Sequence, residues 1–314
     1  MTSRPTQHLR PTLAVVGSIN MDLTVTTPRV PLTGENLLAH GWQMALGGKG
    51  ANAAVALARL GAEAHMIGCV GDDDAGRAAL ATLGAEHVSA GGVVVTRQTP
   101  TGLAVILVDD RGENTILVAI GANLELGAES VEAALAPLWG ALDALVVNFE
   151  LAEPAVASAI HAAHTHSVPV IVDAGPSRTY RPATWGLADI LSPNASEAAT
   201  LVGYPVIDEA SARRATRDLL RQGPKAIVLK WGARGALLCT ESEEQIISGY
   251  TVPVVDTTGA GDAFTAGLAF ALVEGRALDQ AVRFANAVGA IAVTRLGAMA
   301  SMPMRTEVDA LLNI

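Results

Sequence analysis

Short apolar runs recur along this chain, separated by stretches in which apolar residues return every three or four positions. Leu13 to Val16 is an apolar run ending at Gly17, the pattern of a buried strand. From Asn20 to Leu38 the pattern changes to alternation, as in Asp22-Leu23-Thr24-Val25-Thr26, followed by prolines and Gly34, which predicts an exposed, two-faced strand and a turn. After Gly47-Gly48, the alanine-rich stretch Ala51 to Leu60 predicts a helix closed by Gly61, and Ala64 to Val70 the next strand. Asp72 to Asp74 precede another helix. Leu103 to Val108 and Thr115 to Ala119 are β-rich and joined by Asp109-Asp110-Arg111-Gly112, a hairpin connection.

From Asp143 onward strands and helices alternate. Strands are predicted at Ala144 to Phe149, Val168 to Asp173, Asp189 to Leu191 and Ala226 to Leu229, with helices from Glu153 and near Ser211 to Arg221. Such alternation implies a parallel sheet with right-handed crossovers. Gly235 to Cys239 and Val252 to Val255 read as further strands, and long helices begin near Ala260 and Leu278. There is no internal repeat and no Gly/Ser linker. The whole chain, 1–314, therefore reads as one α/β domain: a doubly wound, mostly parallel central sheet flanked by helices, with a small β-sheet lid from about 20–38 and 99–119. Residues 1–11 read as a disordered tail.

Composition sharpens this picture. Half of the 314 residues are hydrophobic, enough for a large core, and aromatics are only 4%, which suits alanine-rich helices packed on a sheet better than a β-sandwich. The formal net charge of -10 argues against nucleic-acid and acidic-membrane partners, whose surfaces need clustered Lys and Arg. A nucleotide remains possible, because backbone N–H groups, a magnesium ion and a few basic side chains hold one locally. Cys69 and Cys239 read as reduced core thiols. With neither a leader-like apolar segment near the start nor a membrane-length apolar run, a soluble cytoplasmic protein is expected.

The sharpest motif is Asp256-Thr257-Thr258-Gly259-Ala260-Gly261-Asp262-Ala263-Phe264, which follows a predicted strand and opens a helix. Glycines at a helix start let the backbone approach an anion closely, and the free N–H groups and helix dipole stabilise charge on a transferring phosphoryl group. Asp262 falls in the first turn, where its carboxylate can take the proton of an attacking hydroxyl. An ordinary helix start explains Gly-Ala-Gly alone, but not the nine residues together with matching motifs elsewhere. The second motif, Gly47-Gly48-Lys49-Gly50-Ala51-Asn52, is neither a Walker A loop nor a dinucleotide fingerprint. Its glycines would let a small polyol lie against backbone, and Asn52 offers hydroxyls both a donor and an acceptor; a flexible turn with a cap is the plainer alternative.

These motifs, together with Gly17-Ser18-Ile19-Asn20-Met21-Asp22, Gly71-Asp72-Asp73, Gly121-Ala122-Asn123, Pro193-Asn194-Ala195-Ser196-Glu197, Gly232-Ala233-Arg234-Gly235 and Ala290-Ile291-Ala292-Val293-Thr294-Arg295, occur in the order and spacing of a known family. From about Leu13 to the C-terminal helix the sequence resembles the ribokinase-like family of carbohydrate kinases. The resemblance implies ATP-dependent phosphorylation of a pentose, D-ribose first, with deoxyribose, another sugar or a nucleoside as the alternative. A binding regulator without catalysis is the reading from a different class, and the intact Gly259, Gly261 and Asp262 weigh against it.

Carried over by resemblance, Asn20, Asp22, Gly48, Lys49, Asn52 and Glu150 line the sugar pocket, with Asp262 as base and Gly259, Ala260 and Gly261 as the phosphoryl-facing loop. Asn194, Glu197, Lys230, Gly232, Arg234, Gly235, Gly261 and Asn286 border the nucleotide, and Glu197 belongs to the magnesium network through water. The resemblance also implies a potassium ion held by carbonyls of Asp256, Thr258, Ala292, Arg295 and Gly297 and by the hydroxyl of Ser301, and a homodimer formed through the lid. Two segments depart from the family pattern. Val172-Asp173-Ala174-Gly175-Pro176 stands where members acting on ribose commonly read Asn-Pro-Ala-Pro, and Lys230-Trp231 where small or aliphatic residues are usual. Asp173 either hydrogen-bonds the phosphate-binding network or ends a strand. His161, His164 and His166 read as a solvated helix end, since no carboxylate or Cys completes a zinc set nearby, and Glu241, Glu243 and Glu244 as a surface turn.

Overall fold

The structure is a computed structural model describing residues 10–313, so the expected tail lies, apart from Arg10 and Pro11, outside the described residues. In chain order the strands are β1 (Thr12–Val16), β2 (Asn20–Thr26), β3 (Gly41–Gly47), β4 (Glu63–Gly71), β5 (Ser89–Thr96), β6 (Gly102–Val108), β7 (Asn114–Ala119), β8 (Ala144–Asn148), β9 (Val170–Asp173), β10 (Ile190–Ser192), β11 (Ala226–Lys230), β12 (Ala236–Thr240) and β13 (Glu244–Ile247). The helices are α1 (Lys49–Leu60), α2 (Asp74–Ala85), α3 (Ala128–Leu135), α4 (Glu153–Thr165), α5 (Pro182–Trp185), α6 (Ala195–Val202), α7 (Glu209–Leu220), α8 (Ala260–Val273), α9 (Leu278–Ala292), α10 (Ala298–Ser301) and α11 (Arg305–Leu312).

A nine-stranded sheet runs β13-β12-β11-β10-β9-β8-β1-β4-β5, parallel from β11 to β5, with β12 and β13 antiparallel at one edge. Its central strands β1, β8, β9 and β10 are buried at every position and mostly apolar, because helices cover both faces. Leu13 and Val15 pack toward α1, α8 and α9, while Ala14 and Val16 pack toward α3 and α4. The alanines explain the close fit: Ala51, Ala53, Ala54 and Ala56 of α1 and Ala263, Ala266, Ala269 and Ala271 of α8 are all buried, and small side chains bring helix axes together.

From β1 the chain moves through α1 to β4 and on to β5 on one side, whereas β8 leads through β9 and β10 to β11 on the other. The adjacent strands β1 and β8 thus mark the point where strand order reverses, and the crevice at their carboxyl ends is where such sheets hold ligands. Over it stands a separate four-stranded sheet, β3-β2-β6-β7, with β2 parallel to β6 and antiparallel to β3.

Three local differences from the sequence reading have physical causes. Val252–Val255 is not a strand: Val255 N donates to Val293 O (2.8 Å), just past the end of α9, and Val254 and Val255 are largely exposed. The glycine-rich loop is therefore preceded by an extended segment leaning on a helix end. The small sheet also contains β3, which the sequence reading does not single out; it alternates Trp42, Met44 and Leu46 with Gln43 and Ala45, but Trp42 and Met44 are exposed. Within the acidic run, Glu241 and Glu243 do lie at an exposed turn, but Glu244 opens β13 and binds Arg213 (2.5 Å) and Arg217 (2.6 Å). His161 and His164 are exposed near the end of α4, and His166 stacks on Trp139 with ring centroids 4.4 Å apart.

Candidate active site

The residues assigned to a sugar by resemblance meet where β1, β8, α1 and α8 converge. Past the end of β1 the chain enters β2 of the small sheet, placing buried Asn20 and half-buried Asp22 two residues apart on one strand face. Glu150, just past β8, accepts from Ser18 Oγ at 2.5 Å and from Asn20 Nδ2 at 3.4 Å. Asn123 braces this corner: its Nδ2 donates to Asn20 Oδ1 (2.7 Å) and its Oδ1 accepts from Ile19 N (2.8 Å). Asn148 Oδ1 accepts from Glu150 N (3.1 Å). Ser18, Asn123 and Asn148 are positioning residues that the sequence reading did not single out, although Ser18 and Asn123 lie within its matching segments.

Gly48 adopts φ 90°, and a Cβ there would lie 2.7 Å from Asn20 N and 2.8 Å from Ser18 O. Only glycine fits, so the backbone before α1 lies directly against β2. Lys49 then opens α1 with its Nζ 3.6 Å from Asp262 Oδ1, and one turn later Asn52 Nδ2 donates to Asp262 Oδ2 at 2.8 Å. Asn52 Oδ1 is buried and meets no donor among the described residues. A buried acceptor left unmatched is costly, and a ligand hydroxyl would satisfy it.

Asp262 sits in the first turn of α8, whose cap Gly259 has φ 77°. Ala260 N is weakly held by Thr257 O (3.3 Å), whereas the N–H groups of Gly261 and Asp262 meet no protein acceptor among the described residues. Burial pushes the Asp262 carboxyl up to about 6, with Asp173 adding to the shift, and these outweigh Lys49, Asn52 and Lys230. Lys49 moves above its ordinary range, chiefly through Asp262 and then through Asp173, Glu197 and Glu150. The pair responds asymmetrically because the carboxylate has lost its water while the ammonium sits among four carboxylates. Asp22 is pushed up to about 7 by burial, then by Glu150 and Asp262.

On the other side of the crevice, Asn194 and Glu197 close a reciprocal cap on α6: Glu197 N donates to Asn194 Oδ1 (2.9 Å) and Asn194 N to Glu197 Oε2 (2.7 Å). Lys230, ending β11, places Nζ 3.0 Å from Asp173 Oδ1 and 3.9 Å from Glu197 Oε2. Asp173 ends β9 and accepts from Lys230. Gly232 to Arg234 form a short turn closed by Gly235, with exposed Arg234 over the Trp231 ring at 4.9 Å. Asn286 in α9 donates to Ile247 O (3.0 Å) and Ser248 O (3.2 Å), so its amide nitrogen braces the loop after β13.

The two segments assigned to a monovalent cation are in contact. Asp256 Oδ1 accepts from Thr258 N (2.9 Å) and Oγ1 (2.6 Å), and its Oδ2 accepts from Gly297 N (2.8 Å). The carbonyls of Asp256, Thr258 and Arg295 meet no protein donor among the described residues, while Ala292 O accepts a long bond from Arg295 N (3.4 Å). Ser301 is buried and donates to Ala298 O (2.7 Å), leaving its oxygen lone pairs available.

Residues 10–305 match the family model described as pfkB family carbohydrate kinase. The chain is 37% identical over 301 residues to a ribokinase of Bacillus subtilis, covering 96% of this chain and 99% of that one. It is 36% identical over 299 residues to a ribokinase of Haemophilus influenzae, covering 95% and 97%. Among solved structures, Arabidopsis thaliana ribokinase complexed with ribose and ATP superposes with a TM-score of 0.88 at 32% identity, covering 98% of this chain and all of that one.

Proposed function

We propose, since this chain belongs to the pfkB family of carbohydrate kinases, that it transfers the γ-phosphoryl group of ATP to D-ribose, giving D-ribose 5-phosphate and ADP. The observation that carries the reading is the placement of Asp262: a buried carboxylate of raised basicity, fixed by Asn52, at the helix start where two N–H groups lack acceptors. In this reading Asp262 takes the proton of the sugar hydroxyl as its oxygen bonds to phosphorus and the bond from phosphorus to the ADP oxygen breaks. The N–H groups of Gly261 and Asp262 and the α8 dipole offset the charge on the phosphoryl oxygens.

Asn20, Asp22, Gly48, Lys49, Asn52 and Glu150 hold the sugar. Asp22 lies on the small sheet, so that sheet would act as a lid carrying part of the specificity. Asn194, Glu197, Lys230, Gly232, Arg234, Gly235 and Asn286 border the nucleotide. Glu197 provides a hard oxygen ligand for magnesium, through water, and the ion would neutralise phosphate charge. The undonated carbonyls of Asp256, Thr258 and Arg295 with Ser301 suit potassium, whose charge would fix the loop carrying Gly259 to Asp262.

One face of the small sheet exposes Trp42 and Met44 of β3 and Leu117 of β7, opposite the face that carries Asp22; a second copy of the chain is the proposed cover. Two unpaired buried cysteines, Cys69 and Cys239, suit a reducing cytoplasm. No described helix is long and apolar enough to cross a membrane. The deciding measurement is ADP release by the purified chain with magnesium-ATP and, separately, ribose, deoxyribose, fructose and adenosine. Ribose should give the highest kcat/KM. A higher value with another acceptor replaces the substrate assignment, and background turnover with all four replaces catalysis by binding alone.

A further inference from the structure

Two ion pairs flank the first turn of α8, and the phosphoryl-transfer chemistry above uses only the one between Lys49 and Asp262. The other joins Lys230 and Asp173, 57 positions apart in the chain, with side-chain exposures of 11% and 5%. Both residues depart from the family pattern, and the fold brings the two departures into one contact.

The partners are not equivalent. Both oxygens of Asp173 are engaged: Oδ1 accepts from Lys230 Nζ (3.0 Å) and Gly175 N (3.0 Å), and Oδ2 lies 2.9 Å from Thr265 Oγ1, a hydroxyl that is also 3.0 Å from Gly261 O. Burial alone would raise this carboxyl, but Lys230 and then Lys49 hold it below the ordinary range. Lys230, in contrast, has Asp173 as its one side-chain hydrogen-bond acceptor among the described residues, and an ammonium carries three donors. Glu197 Oε2, at 3.9 Å, is beyond a hydrogen bond. Lys230 Nζ is also 3.5 Å from where a Cβ on Gly261 would lie, beside the N–H groups that lack acceptors.

We propose that Lys230 is a phosphate-docking residue held in place by Asp173, its spare donors engaging the terminal phosphate oxygens of a bound nucleotide. The inference rests on the kinase reading for the presence of that nucleotide. Physically, a buried ammonium without a counter-ion is costly, so the carboxylate offsets that cost and fixes the side chain while the site is empty. Carboxylates outnumber ammonium groups here, with Asp22, Glu150, Asp173, Glu197 and Asp262 around Lys49 and Lys230. A polyphosphate entering such a pocket needs every cation within reach.

The test compares ADP and adenosine, which share a base and ribose and differ in the phosphates, by calorimetric titration of Lys230→Met, Asp173→Asn, the double variant and Lys230→Arg, with melting temperatures recorded for each. Lys230→Met keeps the aliphatic stem and should weaken ADP binding by about 30-fold or more, with adenosine affinity nearly unchanged. Asp173→Asn leaves the ammonium buried without its counter-ion, so it should melt below the parent chain but lose less ADP affinity than Lys230→Met. The double variant should stay below the parent for ADP, and Lys230→Arg should retain most of the affinity. A merely structural pair gives a different pattern: both single variants lose stability and ADP affinity together, and the double variant recovers both. That pattern, or equal losses for ADP and adenosine in Lys230→Met, would overturn the proposal. Because no sugar enters the titration, a failure of ribose turnover alongside phosphate-dependent ADP binding sinks the substrate assignment alone. A parent chain that binds ADP no better than adenosine sinks this inference.

Discussion

Asp262→Asn removes one charge and one proton acceptor while leaving the shape of the side chain unchanged. Asn52 Nδ2 donates to Asp262 Oδ2 at 2.8 Å, a bond that the amide oxygen of an asparagine can still accept. The stability effect has a definite sign. The folded carboxyl is displaced upward from 3.8 to about 6, so the ionised form is disfavoured by folding, and its penalty grows as pH rises from the unfolded value to about 6 and is constant above. At pH 8 the asparagine removes that penalty, worth at most ~3 kcal/mol, and the loss of a partner for Lys49 offsets part of it. The variant should therefore melt near or above the parent at pH 8 and bind magnesium-ATP no more weakly. Turnover should fall by about 10²–10⁴-fold, the usual contribution of a general base. ADP release with ribose measures it. In the parent, kcat/KM should rise with pH through about 6 and level off as Asp262 ionises, and the variant should lack that limb. Turnover within a few-fold of the parent, or an unchanged acidic limb in the variant, would remove Asp262 from the proton transfer.

Asp22→Ala and Glu150→Ala should each lower kcat/KM for the sugar by about 10–150-fold, the equivalent of roughly 1.5–3 kcal/mol for a lost charged hydrogen bond, with ATP affinity unaffected; a loss of ATP binding that spared the sugar would refute the division of the crevice. Replacing potassium by sodium or tetramethylammonium at constant ionic strength and saturating magnesium-ATP should slow the initial rate, and Ser301→Ala should blunt the potassium response; equal rates in all three salts would eliminate the cation site. The chain should sediment as a dimer that Trp42→Glu with Leu117→Glu converts to a monomer, both residues being exposed on the small sheet; a parent chain that is monomeric at micromolar concentration would exclude that interface.

Much of the fold is legible because its signals are local. Gly61 stops α1 with a left-handed cap, Asp73 caps α2 through Gly76 N (2.7 Å), and the unbroken apolar runs of β1 and β8 belong to strands buried on both faces. The failures come where neighbours decide the outcome. Val252 to Val255 has strand-forming residues, but its one available partner is a helix end, so β-propensity finds no ladder. β3 alternates Trp42, Met44 and Leu46 with Gln43 and Ala45, but of that stripe only Leu46 is buried, and pairing with β2 makes it a strand. β5 carries Gly91-Gly92 in its interior, where glycines weaken a strand's own signal, and pairing with β4 fixes it.

The site divides in the same way. Gly48, Gly259 and Asp262 are readable because a glycine that must approach a ligand or adopt positive φ, followed by a polar residue at a helix start, is a pattern within a few positions. Ser18, Asn123 and Asn148 act on Asn20 and Glu150 across as many as 132 positions, and a lone serine or asparagine carries no sign of its partner. Asp173 and Lys230 are an intermediate case. Each is visible as a departure, and each alone weakens the reading of the segment in which it occurs. A buried aspartate without a cation, or a buried lysine without an anion, would cost several kcal/mol, so neither departure is tolerable singly at its observed burial. Their 3.0 Å contact resolves the conflict, because the pair restores neutrality beside the first turn of α8 while leaving an ammonium with unused donors there. The two residues that most loosened the family pattern in sequence thus become, once folded, one charged feature adjoining the glycine-rich loop that matches it best.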